Sequence, residues 1–185
     1  MNIIDHSTSA NSHNFLDQEL LGATIADRYE ITELLARGGM GRIYRGRQTR
    51  LNRDVVLKVL PAIQGMDDDA SQKRFLREAS ISSQLQHPNT VTIFDYGEIA
   101  LRGLKVFYIA MEYIDGVSLS EVLKKQQRLD LDQALWVIWE VSRALREAHG
   151  LGVIHRDLKP SNIMLLNTKE GCLLYTSDAA DDLYR

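Results

Sequence analysis

The sequence predicts an α+β fold in which a sheet-rich first half with one helix precedes a mainly helical second half. Between residues 29 and 114, apolar runs of strand length alternate with turn residues, and only one segment has helical spacing. After residue 118, apolar side chains recur every three or four positions in two successive segments. With 185 residues, 44% of them hydrophobic and 25% charged, the chain can build one domain or two small lobes.

The composition excludes several classes of protein and partner. The formal net charge is −3, so no basic excess indicates a nucleic-acid partner. The single cysteine, Cys172, cannot form an internal disulfide, argues against a metal cluster and fits a reducing cytoplasm. No apolar run approaches the ~18 residues of a membrane span, and the N-terminus lacks a signal-peptide pattern. We therefore expect a cytoplasmic chain with no membrane segment in this stretch.

The first half predicts a polar leader followed by five strands and one helix. Residues 1–26 are rich in Ser, Asn and His, and we expect them to be loosely ordered. Strands are predicted from Tyr29, over Ile43–Arg47, Val55–Leu60, Val91–Tyr96 and Val106–Ile114, with a helix over Ser71–Leu85 and a turn over Gly97–Gly103. Consecutive strands with one helix indicate an antiparallel sheet that the helix covers.

The second half predicts two helices with defined ends. Ser118 and Glu121 form a capping-box pattern, which opens a short helix. A longer helix begins near Asp130 or Asp132, and Gly150 and Gly152 supply its stop. Its predicted core positions are Leu131, Ala134, Leu135, Ile138, Val141, Leu145 and Ala148. Trp136 and Trp139 lie on this helix, where we expect core or interlobe packing rather than ligand stacking.

Four features carry chemistry, each with a plainer alternative. The segment His155–Asn162 concentrates a carboxylate, an ammonium and a carboxamide, although a salt-bridged surface loop has the same residue types. The glycine-rich segment 36–41 joins two strands and would let amides approach a phosphate, yet hairpin glycines are more often structural. Lys58 lies in an apolar strand and Glu78 follows 20 residues later. Either could instead be a solvated surface residue.

Taken together, these features resemble a known family. From Tyr29 to about Gly171 the chain is similar to the bacterial eukaryotic-like (Hanks-type) serine/threonine protein kinases. The resemblance rests on Arg37–Gly41, Arg53–Leu60, Arg74–Ala79, His87–Val91 and His155–Asn162, which occur in the order and on the elements that kinases require.

The resemblance implies ATP and Mg²⁺ as cofactors and a protein substrate with Ser or Thr. Asp157 would be the catalytic base, and Lys159 would neutralise the transferring phosphoryl group. Lys58 would pair the phosphates while held by Glu78, and Asn162 would bind the metal. Homodimerisation through the kinase domain and a membrane anchor beyond this segment are also compatible with it.

The resemblance further implies a nucleotide-binding set. Leu35 and Ile43 would cover the adenine, Val56 and Met164 would sandwich it, and Met111 would be the gatekeeper. The remaining members are the glycine-rich residues Ala36, Arg37, Gly38, Gly39, Met40 and Gly41, the hinge residues Glu112, Tyr113 and Ile114, and Ser118. Ala36 departs from the family pattern, which has glycine at this position.

The match ends before the Asp-Phe-Gly segment that would supply the second metal ligand. Residues 172–185 resemble a translated sequencing adapter, so we expect native sequence to end near Gly171. The predicted domains are the leader (1–26), a small lobe with the sheet and helix (27–114), the start of a large lobe (115–171) and this tail (172–185). On that basis we expect the 185-residue chain to be inactive, with its motifs describing an intact parent.

Two other functions stay open from the sequence alone. The chain could be a non-catalytic module that binds a nucleotide or a partner, or a small-molecule kinase of similar fold. Lys159–Asn162 favours protein substrates over small molecules. Genomic sequence beyond codon 171 distinguishes a kinase parent, which would encode Asp-Phe-Gly, from a short binding module, which would end at residue 185.

Overall fold

The computed structural model describes residues 20–37, 41–61, 76–77, 79–101, 104–155, 157–166 and 172–174. The chain divides into two compact units. Unit 1 contains Met1–Ala62 and Gly97–Ala110, and unit 2 contains Ile63–Tyr96 and Met111–Arg185. This division differs from the single predicted boundary at residue 114, because residues 63–96 belong to the second unit.

Six strands form one sheet in the part of the chain that the structure describes, in the order β1-β2-β3-β4-β6-β5. They are β1 (Thr24–Ile25), β2 (Tyr29–Arg37), β3 (Arg42–Gln48), β4 (Arg53–Pro61), β5 (Ile93–Leu101) and β6 (Leu104–Glu112). The first four pair as consecutive antiparallel hairpins. The turn predicted over residues 97–103 is wrong in extent, because β5 continues to Leu101 and β6 begins at Leu104.

The end of the predicted leader is part of this sheet. Leu20 and Ile25 are fully buried, and β1 pairs with the start of β2. The amide of Gly22 donates to the Ile31 carbonyl, and the Ile31 amide donates to the Ala23 carbonyl, each at 2.9 Å. The expectation of loose order is therefore wrong for residues 20–26, whereas residues 1–19 lie outside the described part. Two apolar side chains in a polar segment gave too weak a periodic signal for a strand of two residues.

Unit 1 has a dense apolar core. Strand β4 is buried along Val55–Leu60, and the rings of Tyr29 and Tyr108 lie 6.2 Å apart. The largest fully buried side chains of the described residues are Tyr29, Tyr44, Leu20, Ile25, Ile31, Leu57, Val55, Val59 and Val106. All nine belong to unit 1. Buried side chains from several strands thus form the core of this unit.

The part of unit 2 that follows Met111 combines two α-helices with a small sheet among its described residues. Its elements are β7 (Gly116–Ser118), α1 (Leu119–Gln126), α2 (Leu131–Gly150), β8 (Ile163–Leu166) and β9 (Cys172–Leu174). Strand β8 lies between β7 and β9 and is antiparallel to both. Neither β7 nor β9 was predicted. Residues 172–174, at the start of the predicted adapter-like tail, form β9, and the non-native origin of residues 172–185 stays a prediction. Residues 175–185 lie outside the described part.

Both helices begin at the predicted caps. The Ser118 hydroxyl accepts from the Glu121 amide at 3.2 Å, and the Asp130 carboxylate accepts from the Gln133 amide at 2.8 Å. In each case the third helical residue bonds back to the backbone of the cap, which completes a capping box. The predicted starts of both helices are therefore confirmed.

Helix α2 buries only part of the predicted face: Val141 and Ala148 are buried as expected, and Leu145 packs against the buried cluster. Its buried residues are Val137, Val141, Ala144 and Ala148, and Val137, Val141 and Ala144 pack with Leu119 and Ile163. Among the predicted core positions, Leu131, Leu135 and Ile138 are exposed, and so are Trp136 and Trp139, which we expected to be packed. Those predictions are wrong, because α2 is apolar around most of its circumference and spacing alone cannot choose the face. None of the described helices combines the length and the apolarity that a membrane crossing requires.

The segment before β5 is fastened to α2 within unit 2. Residues 76–77 and 79–82 are helical, as predicted, whereas residues 71–75 and Glu78 lie outside the described part. The buried Asn89 donates its amide N–H to Glu140 Oε2 at 2.8 Å. The backbone N–H of Gln86 donates to Glu147 Oε1, also at 2.8 Å. Two carboxylates seven residues apart on α2 thus hold residues 86–89.

Candidate active site

Backbone hydrogen bonds contribute to the conformation of the loop between α2 and β8. The Asp157 amide donates to the His155 carbonyl at 2.7 Å, and His155 is buried. A single 3-10 turn follows over Pro160–Asn162, in which the Asn162 amide donates to the Lys159 carbonyl at 2.9 Å. Proline suits the first position of such a turn because it has no amide hydrogen that would need a partner.

Three predicted site residues meet in this loop. The carboxamide nitrogen of Asn162 donates to the Asp157 carbonyl at 2.9 Å and to Asp157 Oδ2 at 3.1 Å. Lys159 Nζ forms an ion pair with the same carboxylate oxygen. Asn162 is buried, whereas the Asp157 side chain is 34% exposed and that of Lys159 is 50% exposed. A buried amide thus fixes a carboxylate that solvent and a substrate can reach.

This geometry can orient a hydroxyl group and offer it a proton acceptor. A partly exposed carboxylate that hydrogen bonds hold in place can orient a substrate hydroxyl and accept its proton. The neighbouring ammonium can stabilise negative charge that develops on a transferred group. Arg156, between these residues in the chain, lies outside the described part.

The oxygen donors of the loop suit a hard divalent cation. With its nitrogen bound to Asp157, the Asn162 carboxamide turns Oδ1 the other way, toward Ser161 Oγ at 3.5 Å. Among the described residues, no group of three His, Cys, Asp or Glu side chains could hold a metal alone. Mg²⁺ often binds through one or two protein oxygens together with substrate phosphates, so Asn162 fits that kind of site.

Strand register gathers three predicted site residues of unit 1 into one row. Ala36 of β2 pairs with Ile43 of β3, and Ile43 pairs with Lys58 of β4. Directly paired residues on adjacent strands point to the same face of a sheet, and so does Val56, two residues before Lys58. Lys58 is only 5% exposed, and it has at least one polar, ionic or ring contact.

The glycine-rich segment is only partly described. Gly38, Gly39 and Met40 lie outside the described residues, so the predicted phosphate cradle stays a prediction. Gly41 has a packing reason to be glycine, because a Cβ atom there would lie 2.9 Å from the Val59 carbonyl oxygen. The neighbouring Leu35 and Arg37 are exposed at the end of β2. Glu78, the predicted partner of Lys58, is also outside the described part.

The predicted hinge lies at the start of the second part of unit 2. Met111 is buried, and Glu112, Tyr113 and Ile114 are half-buried. The Glu112 amide donates to the Thr92 carbonyl at 2.9 Å, so it cannot donate to a bound base at the same time. Sequence reasoning missed Thr92, because its partner is 20 residues away and is brought near only by the fold.

Ser118 and Met164 are opposite one another in the β7–β8 register. The Ser118 hydroxyl is engaged at the start of α1, where it lies 2.9 Å from Glu121 Oε2. The bonds from the Ser118 backbone N–H and hydroxyl lower the pKa of Glu121 below its usual value. The structure thus confirms the capping role that the sequence predicted for Ser118, whereas its place in the nucleotide set stays a prediction.

Comparison with known proteins agrees with these elements. Residues 29–176 match the family model described as the protein kinase domain. Pkn3 of Myxococcus xanthus, a serine/threonine-protein kinase, is 42% identical over 147 residues, which are 80% of this chain and 26% of that protein. The serine/threonine-protein kinase PknB of Mycobacterium tuberculosis is 40% identical over 144 residues, which are 78% of this chain and 23% of that protein.

Solved structures give the same result. The PknI kinase domain of Mycobacterium tuberculosis superposes with a TM-score of 0.70 and 30% identity, covering 84% of this chain and 61% of that one. The chain therefore spans about a quarter of the two curated relatives and three fifths of this solved domain. The predicted α+β kinase fold is confirmed. The chain belongs to the protein kinase family, among the bacterial Hanks-type serine/threonine kinases.

Proposed function

We propose that this kinase domain transfers the terminal phosphoryl group of ATP to Ser or Thr hydroxyls of proteins. The observation that carries the proposal is the arrangement of Asp157, Lys159 and Asn162. The buried Asn162 holds the carboxylate of Asp157 from one side, and the ammonium of Lys159 pairs with it. Lysine two residues after the aspartate is the serine/threonine form of the kinase loop.

Each loop residue then has one task. Asp157 orients the substrate hydroxyl and accepts its proton on the carboxylate. Lys159 stabilises the charge of the group in transfer. Members of the family use ATP and a divalent metal, and Asn162 Oδ1 is the oxygen we assign to Mg²⁺. When bound, Mg²⁺ supplies charge neutralisation on the phosphates.

In unit 1, the row across β2–β4 would meet the nucleotide. Lys58, with Glu78 as its proposed partner, would bind the phosphates. Ala36, Ile43 and Val56 share the face of Lys58 in the sheet register, which supports apolar contacts with the base. Leu35 and the segment Arg37–Gly41, including Gly38, Gly39 and Met40, complete the proposed set.

In unit 2, adenine would bond to backbone groups of the hinge. Because the Glu112 amide is committed to Thr92, we assign the base to the Glu112 carbonyl and to the Ile114 amide. Met111 and Met164 would supply apolar contacts. Ser118 would contribute through its backbone, since its hydroxyl caps α1. We further propose a cytoplasmic location and a protein substrate.

The test is phosphoryl transfer from labelled ATP to a generic protein substrate, using the protein in its full encoded length. Asp157→Asn removes the proton acceptor and should lower kcat by about 100-fold or more. Lys58→Met removes the phosphate-binding charge and should lower kcat/KM by a similar factor, about 100-fold. For the 185-residue chain alone, the sequence-based expectation of no turnover is checked in the same assay.

Lys105→Met is the matched control for Lys58→Met. Lys105 is exposed on β6, forms a 2.9 Å ion pair with Glu98 and lies outside the proposed site, so its loss should leave turnover unchanged. Circular dichroism should show native folding for all three variants. Full activity in Asp157→Asn would contradict the assigned role. Nucleotide binding without transfer in the full-length protein would favour the binding-module alternative.

A further inference from the structure

Residues 86–92 are hydrogen-bonded to helix α2 near their start and to the hinge at their end, and they are called the tether. All the residues in these contacts belong to unit 2. The motif His87–Val91 carried part of the family resemblance, yet the proposed function gives it no task. The tether offers a route by which α2 can act on the proposed nucleotide site.

The attachment of the tether to α2 is centred on the side chains of Asn89 and Glu140. The Asn89 carboxamide donates to Glu140 Oε2 at 2.8 Å. Asn89 is buried, and the Glu140 side chain is only 15% exposed. A hydrogen bond to a carboxylate away from water is stronger than one that is exposed to solvent. The bond from Gln86 to Glu147 is exposed, so Asn89–Glu140 is the stronger of the two attachments.

A turn over residues 87–90 fixes the chain on both sides of Asn89. The His87 carbonyl accepts from the Thr90 amide at 3.0 Å and from the Thr90 hydroxyl at 2.8 Å. Pro88 occupies the second position of this turn, where its restricted φ is favoured. The Asn89 amide donates to His87 Nδ1 at 3.1 Å. These bonds, with the burial of Thr90 and Val91, fix the backbone that follows Asn89.

At its other end the tether holds the hinge. The Glu112 amide donates to the Thr92 carbonyl at 2.9 Å, and the Thr92 amide donates to Glu112 Oε2 at 3.4 Å. The Glu112 carbonyl, which we assign to adenine, belongs to the same residue, and Ile114 follows two positions later. Hydrogen bonds weaken steeply when their geometry is disturbed. A shift of Thr92 would therefore weaken the bonds that the hinge makes to the base.

We propose that Asn89 and Glu140 are positioning residues that set nucleotide affinity by fixing the hinge through the tether. The proposal rests on the proposed function, because it assumes that the hinge binds adenine. Both residues lie outside the proposed nucleotide set and outside the loop that carries Asp157 and Lys159, so they act on nucleotide affinity and not on the transfer step. The signature of this role is a change in the KM for ATP at constant kcat.

Asn89→Asp in the protein of full encoded length tests the proposal, because it sets two carboxylates against each other in place of a hydrogen bond. Assays at about pH 8 keep both carboxyl groups charged. The KM for ATP should rise about tenfold, with kcat within about twofold of the wild type. Glu140→Gln keeps an acceptor for Asn89 and should have the wild-type KM. In the double variant, the Gln amide can donate to the Asp carboxylate, so the wild-type KM should return.

Arg143→Gln is the control for the second partner of Glu140. Arg143 is 42% exposed and forms a 3.2 Å ion pair with Glu140, so its loss should leave the KM unchanged. Asn89→Ala removes the hydrogen bond to Glu140 without adding a charge. It should raise the KM in the same direction as Asn89→Asp, and it carries the test if Asn89→Asp does not fold.

The Kd of a non-hydrolysable ATP analogue, measured by calorimetry, separates this proposal from the proposed function. A wild type that binds the analogue without phosphoryl transfer contradicts the proposed function, and the Kd values of the variants still decide the role of the tether. Asn89 variants that lose stability or kcat but keep the wild-type KM and Kd have lost a merely structural contact, which overturns the proposal. A double variant that does not regain the wild-type KM, or a wild type that binds no nucleotide, overturns it as well.

Discussion

The two units of this chain hold their site residues by different means. In unit 1, Ala36, Ile43 and Lys58 occupy one row of a sheet whose core contains all nine of the largest fully buried side chains described. In unit 2, Asp157 and Lys159 lie on an irregular loop. The buried apolar cluster of this unit is formed by residues of α1, α2 and β8. Sheet register positions the first set, and specific hydrogen bonds position the second.

This difference has a consequence for stability and for function. In unit 1, pairing with Ile43 on β3 fixes the backbone position of Lys58. The loop depends on one buried amide, Asn162, which bonds to both the backbone and the side chain of Asp157. An irregular loop gives freedom to place a carboxylate within reach of solvent, at the cost of relying on a few polar contacts.

The largest expected effect comes from replacing one buried leucine by alanine in each unit. Leu57→Ala, in the fully buried core of unit 1, should lower the free energy of unfolding by about 3–4 kcal/mol. Leu119→Ala, in the cluster of unit 2, should cost about 2 kcal/mol, because α2 is packed on one face only and can relax toward the space. Urea denaturation followed by circular dichroism measures both.

The two tryptophans make the comparison sharper. Trp136 and Trp139 are the only tryptophans of the sequence, and both lie on α2. Their fluorescence therefore reports unit 2, whereas far-ultraviolet circular dichroism reports both units. If Leu119→Ala cost as much as Leu57→Ala, the inference that unit 2 is packed less tightly would be wrong.

The N-cap of α1 should contribute measurably to the stability of unit 2, although its hydrogen bond is exposed to solvent. Ser118→Ala removes the oxygen that accepts from the Glu121 amide and should cost about 1 kcal/mol. Ser120→Ala, at the second residue of α1, is the matched control. Its effect should be near zero, since alanine is the better helix former. Fluorescence-detected urea unfolding checks both variants. Equal losses would show that the cap adds nothing to this helix.

Motif and local pattern predicted the parts of the molecule that short-range chemistry decides. The starts of α1 and α2 follow from Ser118 and Asp130, whose side chains serve amides three residues away. The burial of Lys58 agrees with its place in an apolar strand, although the sequence alone left a solvated lysine open. The meeting of Asp157 with Asn162 follows from their shared loop.

Contacts between residues far apart in the sequence determine the features that the sequence alone did not predict. The choice between the two apolar sides of α2 depends on Leu119 and Ile163, which no helical spacing can reveal. Strand β7 exists because β8 lies beside it, and a Cβ at Gly116 would come within 2.6 Å of the Leu165 carbonyl oxygen. His87–Val91 was part of the family resemblance, but the bond from Asn89 to Glu140 spans 51 residues and required the fold.

A smaller, stabilising effect is expected at two left-handed residues, one in each unit. Ala26 has φ of 50° in the turn before β2, and Gln127 has φ of 62° at the C-terminal cap of α1. Glycine adopts this region without the steric penalty of a Cβ atom, so Ala26→Gly and Gln127→Gly should each stabilise by about 0.5–1 kcal/mol. Ala23→Gly, which lies near Ala26 in sequence, is the control and should not stabilise. Thermal and urea unfolding would contradict the prediction if both glycine variants lost stability.

The smallest expected effect is the pH dependence of stability that arises from one solvent-accessible carboxylate in each unit. A hydrogen bond from Arg45 at 2.6 Å, with the charges of Arg45 and Arg47, holds the pKa of Asp54 below its usual value. The backbone and hydroxyl of Ser118 lower the pKa of Glu121 in the same direction. A carboxyl group whose pKa is lower in the folded state stabilises the fold above its unfolded pKa, and this contribution disappears as the pH falls through the folded value.

Asp54→Asn and Glu121→Gln should therefore destabilise slightly at pH 7, and the difference from the wild type should shrink as the pH falls below about 4. Salt at about 0.5 M should reduce the Asp54 effect more, because its partners are charged arginines, whereas the donors to Glu121 are neutral groups of Ser118. Urea unfolding at pH 7 and pH 3, with and without salt, measures how the stability difference of each variant depends on pH and on salt. A difference from wild type that did not change with pH would contradict the assigned cause, and equal salt sensitivity would remove the contrast between a charge-paired and a cap-bonded carboxylate.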